Sequence, residues 1–250
     1  MCKLKKAFTM IELVVVIVVV GILAAILMPR FDRNALLEAA DQVVSHIRYT
    51  QHLALSDDVY DPTDSNWYKK RWTISFNRVG DDDTDKWRYS VYKDITVSGN
   101  LNSKDEIARD PLSPNKYMTS GWSGMSNSEK TNTLDKYNLS SKFGVKEIFL
   151  SGGCSASTKG GGNISFDNKG VPYRSISTTK GGGAKNSVDR MINSNCNITL
   201  VNDGPSKDAG NQAVITITPE TGYARIIWFP GCENTPGQPN RCIKPADRTI

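Results

Sequence analysis

The sequence predicts an α+β fold, with a long N-terminal helix packed on a mainly antiparallel β-sheet domain. Two observations carry this. Residues 8–56 read as one helix, first apolar and then with apolar side chains at helical spacing. From Trp72 onward, short runs alternate apolar and polar side chains and are separated by Gly-, Asn- and Asp-rich turns. Strands that follow a helix as a block belong to the α+β class, not to an alternating α/β one.

The helix divides into two halves behind a basic leader, residues 1–7, which carries Lys3, Lys5 and Lys6. In residues 8–29, Leu13 to Met28 pass without one polar side chain, while Glu12 stands at the head of the run. About 20 apolar residues suffice to cross a bilayer, so 8–29 is expected to be a transmembrane segment. An acidic residue at the centre of such a helix costs roughly 2.5–3.5 kcal/mol, and less near an end, so Glu12 reads as functional and in need of a partner. The run is too long for a cleaved secretory core, and Pro29-Arg30-Phe31 is no small-residue cleavage site. Pro29 lacks an N–H and is expected to bend the helix. In residues 30–56, Leu36, Ala40, Val43, Ile47 and Ala54 form one apolar stripe, and Glu38, Asp41, Gln42, Ser45 and Arg48 fill other faces. The stripe is expected to pack under the sheet.

Residues 57–250 read as the β-rich globular domain. Trp72, Ile74 and Phe76 alternate with polar residues, as do Trp87, Tyr89 and Val91, and the polar turn Gly80–Asp85 between them signals a hairpin. Further strands are expected at 147–150, 163–166, 198–201, 213–218 and 224–228. The last two flank Pro219-Glu220-Thr221-Gly222, a second hairpin turn. Residues 98–140 show little periodicity and read as a loop-rich insertion.

The chain has 250 residues and a formal charge of +5, or +2 without the three leader lysines. That is too mild to predict nucleic-acid binding. Beyond Cys2 in the leader there are four cysteines, Cys154, Cys196, Cys232 and Cys242, which allow three pairings. Cys232 and Cys242 are closest in sequence and bracket a turn-rich loop, which favours Cys232–Cys242 with Cys154–Cys196. Disulfides place the domain in an oxidising space, and a positive leader stays cytoplasmic, so the two signals agree on the N-terminus inside and the domain outside.

The leader and the apolar run, K-K-A-F-T-M-I-E-L with Pro29 near its end, closely resemble the type IV prepilin signal. Ala7 stands where the family usually has Gly, and Ala is still small enough for a peptidase pocket. The resemblance implies cleavage between Ala7 and Phe8, N-methylation of Phe8, and pairing of Glu12 with the N-terminal amine of a neighbouring subunit. The segments I-S-F-D-N-K-G (164–170), I-T-I-T-P-E-T-G-Y-A-R-I (215–226) and R-Y-T-Q-H-L-A-L (48–55) resemble the H-type minor pseudopilins of type II secretion and FimT-like minor pilins. This implies a pilin-like fold and a structural subunit of a secretion pseudopilus in the bacterial inner membrane, single-pass, with a periplasmic domain. The implied partners are a prepilin peptidase, other pseudopilins or pilins, and an inner-membrane assembly platform. A minor pilin of a type IV pilus, or a DNA-binding minor pilin of an uptake system, are the alternatives.

No other constellation argues for chemistry. Asp81, Asp83 and Asp85, with Asp82, are calcium candidates, but no distal Glu completes a calcium loop, and a solvated hairpin tip is the favoured reading. Neither Lys159-Gly-Gly-Gly nor Lys180-Gly-Gly-Gly continues as a phosphate loop. Lys180, Lys185, Arg190 and Arg225 form at most a modest basic patch without interleaved aromatics. No nucleophile elbow is present, and His46 and His52 do not share a helical face. We therefore expect no enzymatic activity, no cofactor and no metal.

Overall fold

The computed structural model describes residues 9–27, 34–79, 86–122, 124–154, 161–176, 183–202 and 212–228. The chain forms two units, Met1–Arg33 and Asn34–Ile250.

The first unit contains helix α1, Met10–Leu27. Its apolar side chains from Met10 to Val20, and Ile22, are exposed around the whole helix. Among the described residues no helix is long and apolar enough to cross a membrane. The 18 residues of α1 rise about 27 Å at 1.5 Å per residue, short of a hydrocarbon core of about 30 Å. The expected span, 8–29, runs past both ends of α1 into residues outside the described set.

The second unit begins with helix α2, Ala35–Leu55. The single helix expected over 8–56 is corrected here. Asn34 has ψ 84°, outside the helical range, and its side chain accepts from Leu37 N at 3.1 Å. It therefore caps a new helix, satisfying an N–H that a continuous helix would have bonded internally. The stripe residues Leu36, Ala40, Val43, Ile47 and Ala54 are all buried, joined by Ala39, Val44, His46 and Thr50.

Ten strands follow. β1 (Trp72–Val79) and β2 (Lys86–Lys93) form the first expected hairpin, with Ile74 opposite Val91 and Phe76 opposite Tyr89. β3 (Arg109–Asp110) and β4 (Ser113–Tyr117) make a small ribbon. β5 is Glu147–Gly152, β6 Gly162–Phe166, β7 Pro172–Arg174, β8 Cys196–Val201, β9 Gln212–Ile217 and β10 Ala224–Trp228. They build two four-stranded antiparallel sheets, in the orders β2-β1-β6-β7 and β10-β9-β8-β5. Both sheets contribute to a single core with α2. It includes Val43 and Ile47, Ile74, Phe76 and Ile164 of the first sheet, and Ile198, Leu200 and Ile215 of the second.

The stretch expected as a loop-rich insertion is more structured than its lack of periodicity suggested. Besides β3 and β4 it holds the short helix α3 (Asn127–Lys130), and helix α4 (Leu139–Phe143) begins at its end. Met118, Tyr137, Leu139 and Phe143 lie in the core. Ala108 N donates to Val91 O at 2.9 Å and Val91 N to Met118 O at 3.0 Å, so the segment is tied to β2. Elements this short carry too few residues for a period to be read.

Candidate functional site

The N-terminal segment is the first candidate. Thr9 immediately precedes α1, and Leu13 N donates to Thr9 O at 3.2 Å. Glu12 N donates to Thr9 Oγ1 at 3.3 Å, while Glu12 Oε2 accepts from Thr9 Oγ1 at 3.4 Å and Thr9 N at 3.5 Å. This reciprocal pattern is a capping box, with Thr at the cap and Glu three residues on. Glu12 thus has a partner within its own chain, and T-x-x-E before an apolar run is the sequence-level signal for it. The contacts are exposed and lie at the long end of hydrogen-bond range, so they hold the carboxylate only weakly. Ala7, Phe8 and Pro29 lie outside the described residues.

The second candidate is the junction where three family-like segments meet. Gln51 on α2 donates from Nε2 to Gly170 O at 2.8 Å and to Thr221 O at 2.6 Å. These carbonyls lie in the turns after β6 and after β9, so one amide links a hairpin of each sheet to the helix. One turn earlier, Arg48 donates to Ala224 O from Nε at 3.1 Å and Nη2 at 2.9 Å, and its guanidinium lies 5.0 Å from the Tyr223 ring centroid. The segments 48–55, 164–170 and 215–226 are thus one packed site, although more than a hundred residues separate the first from the others.

Beneath α2 lies a buried polar network. His46 Nδ1 is 2.6 Å from the Tyr89 hydroxyl, which also accepts from Gln42 Nε2 at 2.7 Å. The His46 ring stacks on Tyr137, with centroids 5.2 Å apart. The Tyr137 hydroxyl donates to Asp110 Oδ2, which also pairs with Lys136. Burial pulls the His46 pKa down to about 4, helped by the Lys136 charge and opposed by Asp110. Burial pushes the Asp110 carboxyl up, but the bonds from Lys136 and Tyr137 prevail and hold it below the ordinary carboxylate range. At neutral pH the imidazole is uncharged and the carboxylate ionised. The arrangement locks α2 to β2 and to the 98–140 segment. His52 is exposed, away from this network.

Cys154 and Cys196 are bonded, with Cα atoms 4.9 Å apart, which joins the end of β5 to the start of β8. Both are buried. The backbone there is tight, since a Cβ on Gly153 would lie 2.3 Å from Ser194 O. Cys232 and Cys242, and the calcium candidates Asp81, Asp83 and Asp85, lie outside the described residues, as does Lys180. The structure attaches Arg190 and Arg225 to different sheets. Arg174 N on β7 donates to Arg190 O, whereas Arg225 is on β10.

The prokaryotic N-terminal methylation motif matches residues 2–28. The chain therefore carries a type IV prepilin signal over about a tenth of its length and is prepilin-like. The match supports a type IV pilin-like protein, processed by a prepilin peptidase and assembled with other pilins. No curated protein and no solved structure matches the chain.

Proposed function

We propose that the chain is a non-enzymatic structural subunit, an H-type minor pseudopilin that assembles into a type II secretion pseudopilus for protein export across the outer membrane. The observation that carries this is the methylation motif at 2–28, with Glu12 at the start of an apolar helix. In this reading residues 8–29 hold the chain in the inner membrane, N-terminus in the cytoplasm and domain in the periplasm. Cleavage after Ala7 creates a cationic amine on Phe8. During assembly the apolar helix leaves the lipid and packs among the same helices of neighbours, partnered by other pseudopilins and the inner-membrane platform.

Two features support the assembly role of Glu12. The exposed apolar surface of α1 needs lipid or other helices around it. A carboxylate carried into such a bundle requires a partner, and a charged amine supplies a stronger bond than the long Thr9 contacts. The bonded Cys154–Cys196 pair agrees with an oxidising compartment.

The test is N-terminal sequencing of the chain from cells with and without the prepilin peptidase, combined with cross-linking to pseudopilins. A methylated Phe8 terminus and peptidase-dependent cross-links are expected. A mature chain that keeps Met1, or cross-links unaffected by loss of the peptidase, would overturn the reading. A pilus defect without a secretion defect on deletion would move the chain to a type IV pilus. Binding of duplex DNA by the protein, with a steep salt dependence, would favour the uptake reading.

A further inference from the structure

Among the described residues of the second unit, Leu112 is the most exposed large apolar side chain, at 85%. Exposure alone would need no explanation for a single leucine. This one is held in a fixed turn. Asp110 Oδ1 accepts from Leu112 N and Ser113 N, each at 2.9 Å. Its Oδ2 accepts from the Tyr137 hydroxyl and pairs with Lys136. A fully buried carboxylate thus anchors a turn whose tip stands in solvent, which presents Leu112 in one preset position. The β3–β4 ribbon that carries the turn branches from β2, an edge strand of the first sheet, through the bonds of Ala108 and Met118 to Val91.

Towards the other edge of that sheet lies a cavity of about 470 Å³, lined by Trp72 of β1, Phe166 of β6 and Tyr173 of β7 together with Tyr60, Trp67 and Val188. Tyr60 and Val188 are 63% and 64% exposed, so the aromatic lining reaches solvent through an apolar rim. The charges beside the two features are opposite. On the ribbon, Arg109 and Lys116 are the charges outside the core, because Asp110 is buried. Beside the cavity, Tyr60 and Trp67 also line an adjoining hollow with Asp58 and Asp61, both exposed. Lys70 and Lys93 in that hollow are already paired with Asp64 and Asp57. Of the cavity's own charges, Arg71 is buried against Tyr173, and Asp167 and Lys169 offset each other within one turn.

We propose that Leu112 of one chain fills the aromatic cavity of a second copy, with Arg109 and Lys116 facing Asp58 and Asp61 of that copy. Within one chain the two features cannot meet, since β2 and β7 stand three strand spacings apart, about 14 Å. A contact between different patches of identical chains is heterologous and leaves a free leucine at one end and a free cavity at the other, so it propagates head to tail. The proposal rests on the reading of the chain as an assembling subunit and adds which faces of its globular unit meet.

The experiment co-expresses two differently tagged full-length chains, one with Leu112→Cys and one with Val188→Cys, both at exposed positions, and oxidises the membranes mildly. A disulfide-linked pair carrying both tags is expected, and a chain with both substitutions should give a ladder of multimers. Adding Asp58→Lys and Asp61→Lys to the Val188→Cys chain should cut the mixed product at least about threefold, because like charges then face each other. A mixed product unchanged by those lysines would overturn the charge pairing. Pairs linked through Leu112→Cys on both chains, in place of the mixed product, would mean a symmetric contact and overturn the proposal. Capture of a different pilin by Val188→Cys, in place of the Leu112→Cys chain, would assign the cavity to another partner and overturn it too. No mixed product while cross-links to pseudopilins still form would overturn this contact and leave the proposed function standing, whereas loss of those cross-links as well would remove both.

Discussion

Gln51 Nε2 lies 2.8 Å from Gly170 O, a bond that fastens the β6–β7 turn of one sheet to the helix shared by both. The same nitrogen reaches Thr221 O at 2.6 Å, in the β9–β10 turn of the other sheet. Gly222 makes this approach feasible. Its φ is 64°, and a Cβ there would lie 2.3 Å from Gly170 O and 2.6 Å from Gln51 Nε2. Gly222→Ala is expected to destabilise the domain by about 1–3 kcal/mol through strain and clash. Gln51→Leu should cost about 1 kcal/mol, chiefly by leaving the part-buried Gly170 carbonyl without its donor. Denaturant unfolding of both variants checks this, and the double variant should cost less than the two singles added, because they share one junction.

His46 makes stability depend on pH. Its pKa is about 4 in the folded chain against 6.5 in the unfolded one, so between those values the unfolded state binds more protons. Stability is full above about pH 6.5 and is lost as pH falls towards about 4, by up to roughly 3 kcal/mol from this group alone. His46→Gln should be less stable at pH 7 and lose less on going to pH 4.5. Melting curves across that window test the difference in slope, which separates His46 from the general acid sensitivity of carboxylates.

Asp110 is buried and accepts from Leu112 N and Ser113 N, each at 2.9 Å, as well as from Lys136 and Tyr137. Asp110→Asn keeps the shape but removes the charge that answers Lys136, and should cost about 2–4 kcal/mol. Tyr137→Phe removes a single hydroxyl and should cost nearer 1 kcal/mol. Chemical denaturation at pH 7 ranks the two, and an equal loss would contradict the network as drawn.

Removing the Cys154–Cys196 bond frees a loop with a sequence separation of 42. The chain-entropy model puts that at about 4 kcal/mol as an upper expectation. The paired Ser variant should melt lower than the oxidised protein and match the reduced protein, and non-reducing peptide mapping should recover the Cys154–Cys196 fragment.

Thr9 and Glu12 separate capping from assembly. Thr9→Val removes the hydroxyl of the capping box and should cost the helix about 1 kcal/mol, with assembly retained. Glu12→Leu removes the carboxylate and should leave membrane insertion intact while assembly fails. Cell fractionation reports insertion and cross-linking reports assembly. Normal assembly of the Glu12 variant would show that the acid serves only its own helix.

By itself the sequence determined what depends on near neighbours. The stripe from Leu36 to Ala54, the alternation of Trp72–Phe76 and Trp87–Val91, and the turn at Thr221-Gly222 are written within one or two turns of chain, and each appears where its period places it. Thr9-x-x-Glu12 was equally local, and the capping box could have been read from it. Only the tertiary structure decided the rest. Arg71 and Asp110 look in sequence like ordinary surface charges, and they are buried because Tyr173, Ser187, Lys136 and Tyr137 arrive from distant segments. The division into two sheets rests likewise on β1 choosing β6 and β5 choosing β8 across long intervals. Burial and pairing at that range depend on which surfaces the whole chain can cover at once, a quantity that no local pattern contains.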